Sequence, residues 1–201
     1  LRQAAVIFAS ENSFADISSL ERKALAGFIG SNEVGTLSHL ADLNWGWFGS
    51  MKGAGVFKNR VSDKSNGGNC DRHLSAALDC IAPLGIITET DYRRFVERFR
   101  KAFADSARQG QIASASRLLA MKRPDYFVCI DKENRQELSD DLGYPASTLS
   151  FETYWDLVVE PVMTATWWQV PRPAGAEGHI WDGRAAMLDA LYYVPRSVEP
   201  V

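Results

Sequence analysis

The stretch Ile112–Leu138, "IASASRLLAMKRPDYFVCIDKENRQEL", places an apolar segment, a Lys-Arg-Pro-Asp turn and a short hydrophobic run directly in front of one acid, Asp131. The spacing predicts a helix around Ala113 to Met121, a break at Pro124, the run "YFVCI", and a second helix from about Lys132 to Leu142 closed by Gly143. Asp131 then has two readings. Aspartate is a favoured N-cap, contributing about 1 kcal/mol to the helix it starts. The same carboxylate, if it faces a cleft, can do chemistry, and a cap that presents one oxygen outward satisfies both readings.

Working outward, helical periodicity dominates and no stretch alternates long enough to make a sheet. Upstream, a helix is expected from about Asp71 to Ala82, ending near Pro83. Thr88 with Asp91 has capping-box spacing and opens a long amphipathic helix whose Phe95, Phe99 and Phe103 share a core face. Further toward the N-terminus, Asp16 can cap "ISSLERKALAGFIG", and a short helix follows over "EVGTLSHLADL". Between these halves lies "NWGWFGSMKGAGVFKNRVSDKSNGGNC", with six glycines and no apolar period, which reads as a long loop; loops of that length are commonly functional. Downstream come a helix around Phe151 to Thr164, the tryptophan-proline connection "WWQVPRPAGAEGHIW" and a terminal helix "GRAAMLDALYY". Trp155, Trp167, Trp168 and Trp181 are expected to tie this last third onto the other helices. The fold class is therefore all-α: a compact multi-helix unit over residues 1–201, the alternative being two lobes with a cleft near 44–60 and 110–135.

With 201 residues, 46% of them apolar, the chain suffices for one well-buried core. No apolar run approaches the roughly 20 residues of a membrane span, and no signal-peptide pattern opens the sequence, so a soluble cytoplasmic protein with no membrane partner is expected. The three cysteines, Cys70, Cys80 and Cys129, are scattered and read as reduced thiols. A net charge of -3 confines any nucleic-acid surface to local patches. One candidate is "DYRRFVERFRKAF", for which a solvated helix face is the simpler reading. The other is the segment containing Lys52, Lys58 and Arg60, where basic residues alternate with Trp45, Trp47, Phe48 and Phe57.

Several chemistries lack their patterns. There is neither a Walker loop nor G-x-G-x-x-G, no G-x-S-x-G elbow, and no metal-ligand spacing among His39, His73 and His179. Neither a cofactor nor a metal is expected.

The segment "GQIASASRLLAMKRPDYFVCIDKENRQELSDDLG" resembles the active-site region of the helix-hairpin-helix DNA glycosylases, in which a glycine-containing hairpin leads through a helix and a short aliphatic loop to an aspartate beginning another helix. Asp131 falls at that aspartate and Gly110 near the hairpin. With "NWGWFGSMKGAG" and "GRAAMLDALYY", the wider chain is similar to bacterial anti-phage DNA glycosylases that excise modified bases. The second hairpin glycine and an iron-sulfur cysteine set are absent. Ala113 and Ser114 stand where lyase-competent members carry a lysine. The resemblance therefore implies a monofunctional glycosylase acting on double-stranded DNA and leaving an abasic site, with phage DNA bearing glucosylated or hydroxymethylated cytosine as its candidate substrate. Asp131 would be the catalytic carboxylate, Asn44, Trp45, Trp47 and Phe48 the pocket for the flipped base, and Lys52, Lys58, Lys122 and Arg123 the grip on the backbone. Two rivals remain open: a non-catalytic DNA-binding or partner-binding subunit of a defence system, and a metal-dependent nuclease.

Overall fold

The computed structural model describes residues 71–105 and 110–192, together with Ser18, Leu20 and Arg60. The expected helices before Gly30 and over "EVGTLSHLADL", and the glycine-aromatic loop, lie outside the described residues.

Among the described residues the chain is helical and contains no strand. Asp71 caps α1 (Arg72–Leu78), its Oδ1 accepting the His73 and Leu74 N–H groups at 2.9 and 3.1 Å. The expected capping box opens α2 (Glu89–Lys101): the Thr88 hydroxyl accepts the Asp91 N–H while the Asp91 carboxylate accepts the Thr88 N–H. Along α2, Phe95 and Phe99 stack at 5.4 Å, and Phe103 follows at 5.0 Å. A Cβ at Gly110 would lie 2.6 Å from the Phe99 ring, so glycine is required there by close packing.

The next helix, α3 (Ile112–Lys122), is the central one. Nine of its eleven residues are buried, including Arg117 and Lys122, so it is enclosed on nearly all sides. Beyond it the chain turns at Pro124 and runs without regular secondary structure from Phe127 to Asp131 before α4 (Arg135–Leu142), which ends as predicted at Gly143 in the left-handed conformation (φ 77°). The buried apolar side chains of α1 to α4 and of the C-terminal third form one cluster.

The helix expected to run to Ala82 ends at Leu78, the expected tryptophan-proline connection contains two short helices, and two further elements depart from the sequence reading for identifiable reasons. Within the helix expected from Phe151 to Thr164, Pro161 lacks an N–H and its ring crowds the preceding turn. The backbone widens into a π-turn over Trp155–Val159, with the Glu160 N–H donating to Trp155, before α5 (Glu160–Thr164). After α6 (Thr166–Gln169) and α7 (Ala176–Trp181), the terminal helix shrinks to α8 (Leu188–Leu191). Its expected first turn is diverted because the Ala185 and Ala186 N–H groups both donate to Pro124 O, at 3.1 and 2.8 Å. Trp168 and Trp181 do fasten this region: Trp168 donates to Asp125 O, Trp181 to Val170 O, and the Arg184 guanidinium lies over both rings at 4.2 and 3.6 Å. Trp155 is buried, whereas Trp167 is 43% exposed and makes no hydrogen bond with its side chain among the described residues.

This irregular run poses a satisfaction problem, because buried main chain with no neighbouring strand among the described residues must find other partners. Tyr154, fully buried, supplies two of them: its hydroxyl donates to Val128 O at 2.6 Å and accepts Val128 N–H at 3.0 Å. Ser116 on α3 accepts Ile130 N–H at 2.9 Å. Replacing Tyr154 by Phe leaves both Val128 groups buried and unsatisfied, and is expected to cost about 2–4 kcal/mol in urea denaturation. A change below about 0.5 kcal/mol would show that the hydroxyl does not hold the run.

Candidate functional site

Asp131 stands where the irregular run enters the turn before α4, and it is half-buried. Its Oδ1 accepts the N–H groups of Glu133 and Asn134 at 2.7 and 2.9 Å. In return Asn134 Oδ1 accepts the Asp131 N–H at 2.9 Å, a reciprocal cap with Asn in the place that Glu or Gln usually takes. The helix proper begins at Arg135, three residues later than the predicted start, because residues 132–134 form the capped turn. The cap uses one carboxylate oxygen. Oδ2 has no hydrogen-bond partner among the described residues.

Asn134 is fully buried and joins this turn to two further elements. Its Nδ2 donates to Cys129 O at 2.7 Å, and to Asp189 Oδ1 on α8 in a shorter contact. Asp189 is 2% exposed, and its Oδ2 has no hydrogen-bond partner among the described residues. Burial, reinforced by the Asp131 charge, pushes the Asp189 carboxyl up to about 8, against the smaller opposing effects of the Asn134 hydrogen bond and Arg117. At neutral pH Asp189 is therefore a neutral acid behind the turn that carries Asp131. The Cys129 thiol beside it is pushed well up by burial and stays protonated.

No family model matches the chain, and no curated protein or solved structure matches it.

The other expected site residues fall in two groups. Asn44, Trp45, Trp47, Phe48, Lys52 and Lys58 lie outside the described residues. Lys122 and Arg123 are placed inside the fold, 7% and 5% exposed, and not on a surface where they would meet a phosphate backbone. Lys122 Nζ donates to Leu78 O at 2.6 Å, and burial lowers its pKa to about 8. Arg123 grips the Asp125 carboxylate with two nitrogens at 2.9 and 2.8 Å and donates to Ala82 O and Gly85 O, which fastens the turn after α1. Turn carbonyls on the neighbouring segment draw both side chains inward, a tertiary effect that the local Lys-Arg-Pro-Asp pattern does not contain. The basic residues of α2 are exposed. Arg93 pairs with Glu89, Lys101 with Glu97 and Arg100 with Glu152 along an open groove of about 490 Å³ that none of the expected site residues lines.

Asn134 and Asp189 are the members of the site that sequence reasoning missed. Asp131-x-x-Asn134 has the i, i+3 spacing of a reciprocal cap and was legible in principle. Asp189 is an acid set among Met187, Leu188, Ala190 and Leu191, so its sequence signal is an ionisable group in an otherwise apolar stretch. Among the described residues no cluster of three or more His, Cys, Asp or Glu is placed to hold a metal, and no helix is long and apolar enough to cross a membrane.

The Asp189 shift makes a signed prediction. Below about pH 4 the group is protonated in both folded and unfolded chains. Between there and about 8 the unfolded chain ionises while the folded one keeps its proton, so stability falls as pH rises. Asp189→Asn is therefore expected to raise stability at pH 7.5 by on the order of 3 kcal/mol and to change it little at pH 4. Urea unfolding at the two pH values checks this; an equal difference at both would contradict it.

Proposed function

We propose that the chain is a monofunctional DNA glycosylase that hydrolyses the N-glycosidic bond of a modified base and leaves an abasic site, with Asp131 as its carboxylate. The observation that carries the reading is the division of labour on that side chain. One oxygen is fixed by two backbone N–H groups, the main chain behind it is pinned, and the second oxygen is unengaged among the described residues. Cleaving a base-sugar bond develops positive charge on the deoxyribose, and a preorganised anion whose position costs no reorganisation is what stabilises it. The same carboxylate can orient or deprotonate the attacking water. Lys122, whose lowered pKa would suit a nucleophilic amine, has its ammonium bonded to Leu78 O within the fold, which supports hydrolysis without a lysine adduct.

In this reading Trp45, Trp47 and Phe48 stack on an everted base, Asn44 meets its edge, and Lys52 and Lys58 hold the distorted strand. Lys122 and Arg123 are no longer part of the DNA grip. The substrate class proposed is invading DNA with modified cytosine. A second reading, a non-catalytic DNA-binding or partner-binding subunit of a defence system, draws on the same turn, since capping accounts for Asp131 Oδ1 without any catalysis.

Asp131→Asn separates them. Asparagine caps as well as aspartate, so the fold should survive with a stability change within about 1 kcal/mol. Release of free base from phage DNA bearing modified cytosines, followed by mass spectrometry with chelator present, is expected to drop at least about a hundredfold. Undiminished release by the variant, or none from the wild type with DNA binding retained, would favour the second reading.

A further inference from the structure

We infer that Asp189 is a positioning residue for Asp131, acting through Asn134. The inference rests on the reading of Asp131 as the working carboxylate and identifies what holds that carboxylate in place from behind. The Asn134 amide has two distinguishable ends. Its NH2 end faces two acceptors, Cys129 O and Asp189 Oδ1, and its oxygen faces the one donor, Asp131 N–H. With the Asp189 proton on Oδ2, so that Oδ1 is an acceptor, inverting the amide would set its oxygen against two acceptors and its NH2 against a donor, so the acceptors behind it lock the oxygen onto the Asp131 backbone. One of those acceptors is local main chain. The other, Asp189, arrives from 55 positions away in sequence, delivered by the Ala185 and Ala186 bonds to Pro124.

The choice of an acid there is otherwise unexplained by packing. Asp189 is buried with one carboxyl oxygen unpartnered, an arrangement that costs stability where an apolar side chain of similar size would not. The charged and titratable groups facing it are Asp131 from the capped turn, Arg117 from α3 and the Cys129 thiol from the irregular run. As a neutral acid Asp189 accepts from Asn134 without setting a second negative charge beside Asp131.

The test compares wild type with Asp189→Asn, which keeps an acceptor, and with Asp189→Leu and Asp189→Ala, which do not. Two readouts are taken: base release from phage DNA bearing modified cytosines, resolved into kcat and KM, and NMR hydrogen exchange of the Asp131 amide. Thermal melts confirm that each variant folds. Positioning predicts that Asp189→Leu and Asp189→Ala lose about tenfold or more in kcat with KM little changed. It also predicts that the Asp131 N–H exchanges at least about tenfold faster in both, and that Asp189→Asn stays near wild type in both readouts. Folded Leu and Ala variants with wild-type exchange at Asp131 would overturn the proposal, whatever their activity. If the wild type releases no base while the exchange pattern appears as predicted, the positioning role stands and the glycosylase reading fails.

Discussion

Between Val128 and Ile130 the chain is buried, belongs to no regular element and has no strand beside it among the described residues, and the hydrogen bonds for its main chain come from three side chains. Tyr154 meets both polar groups of Val128, Ser116 meets the Ile130 N–H, and Asn134 meets Cys129 O and the Asp131 N–H. Each of these side chains sits on a different element, so the run is held from several directions at once. Buried polar groups left without partners are costly, which makes the arrangement cooperative: losing one peg exposes the cost of the groups it satisfied. Asp131 is the terminus of this frame, and its place in space follows from the packing of α3, the π-turn and the capped turn before α4.

How far this was legible in the sequence depends on the range of the interactions involved. Local signals transferred well. The Thr88-Asp91 box, the phenylalanine face of α2, the break at Pro124 and the glycine at 143 act within one or two turns, and each lies where the pattern put it. The all-helical class followed from the same periodicity. The failures were tertiary. Lys122 and Arg123 look like solvent-facing charges in a turn, but carbonyls around Leu78 to Gly85 capture them. The terminal "GRAAMLDALYY" reads as one helix, but Pro124 O takes two of its N–H groups and shortens it. Trp167 has the same composition signal as Trp168, yet only Trp168 meets a backbone acceptor.

The candidate site divides along the same line. Asp131 stood out because an acid following "YFVCI" is conspicuous, and its capping of the 132–134 turn is local, as is its reciprocal bond with Asn134. Asp189 becomes a member only when a segment 55 residues downstream folds back, and no spacing rule connects it to the turn. Their burial also inverts the usual expectation for acids: Asp189 is held neutral by its surroundings, while Asp131, at the edge, keeps an oxygen unengaged among the described residues. Two carboxyls in contrasting environments, one dry and one half-open, are an arrangement in which distinct roles can be assigned by environment alone. That contrast is destabilising at neutral pH, and stability given up at a polar cluster is a common mark of functional sites.

The dependence of Asp131 on its frame is tested most directly by native-state hydrogen exchange at Val128 and Ile130, whose N–H groups end on Tyr154 and Ser116. If the frame is rigid, both amides exchange only when the whole domain unfolds, with opening free energies equal to the global stability from urea denaturation. Exchange through local openings well below that value would mean that the run moves independently of the core, and that Asp131 is not held where the hydrogen bonds place it.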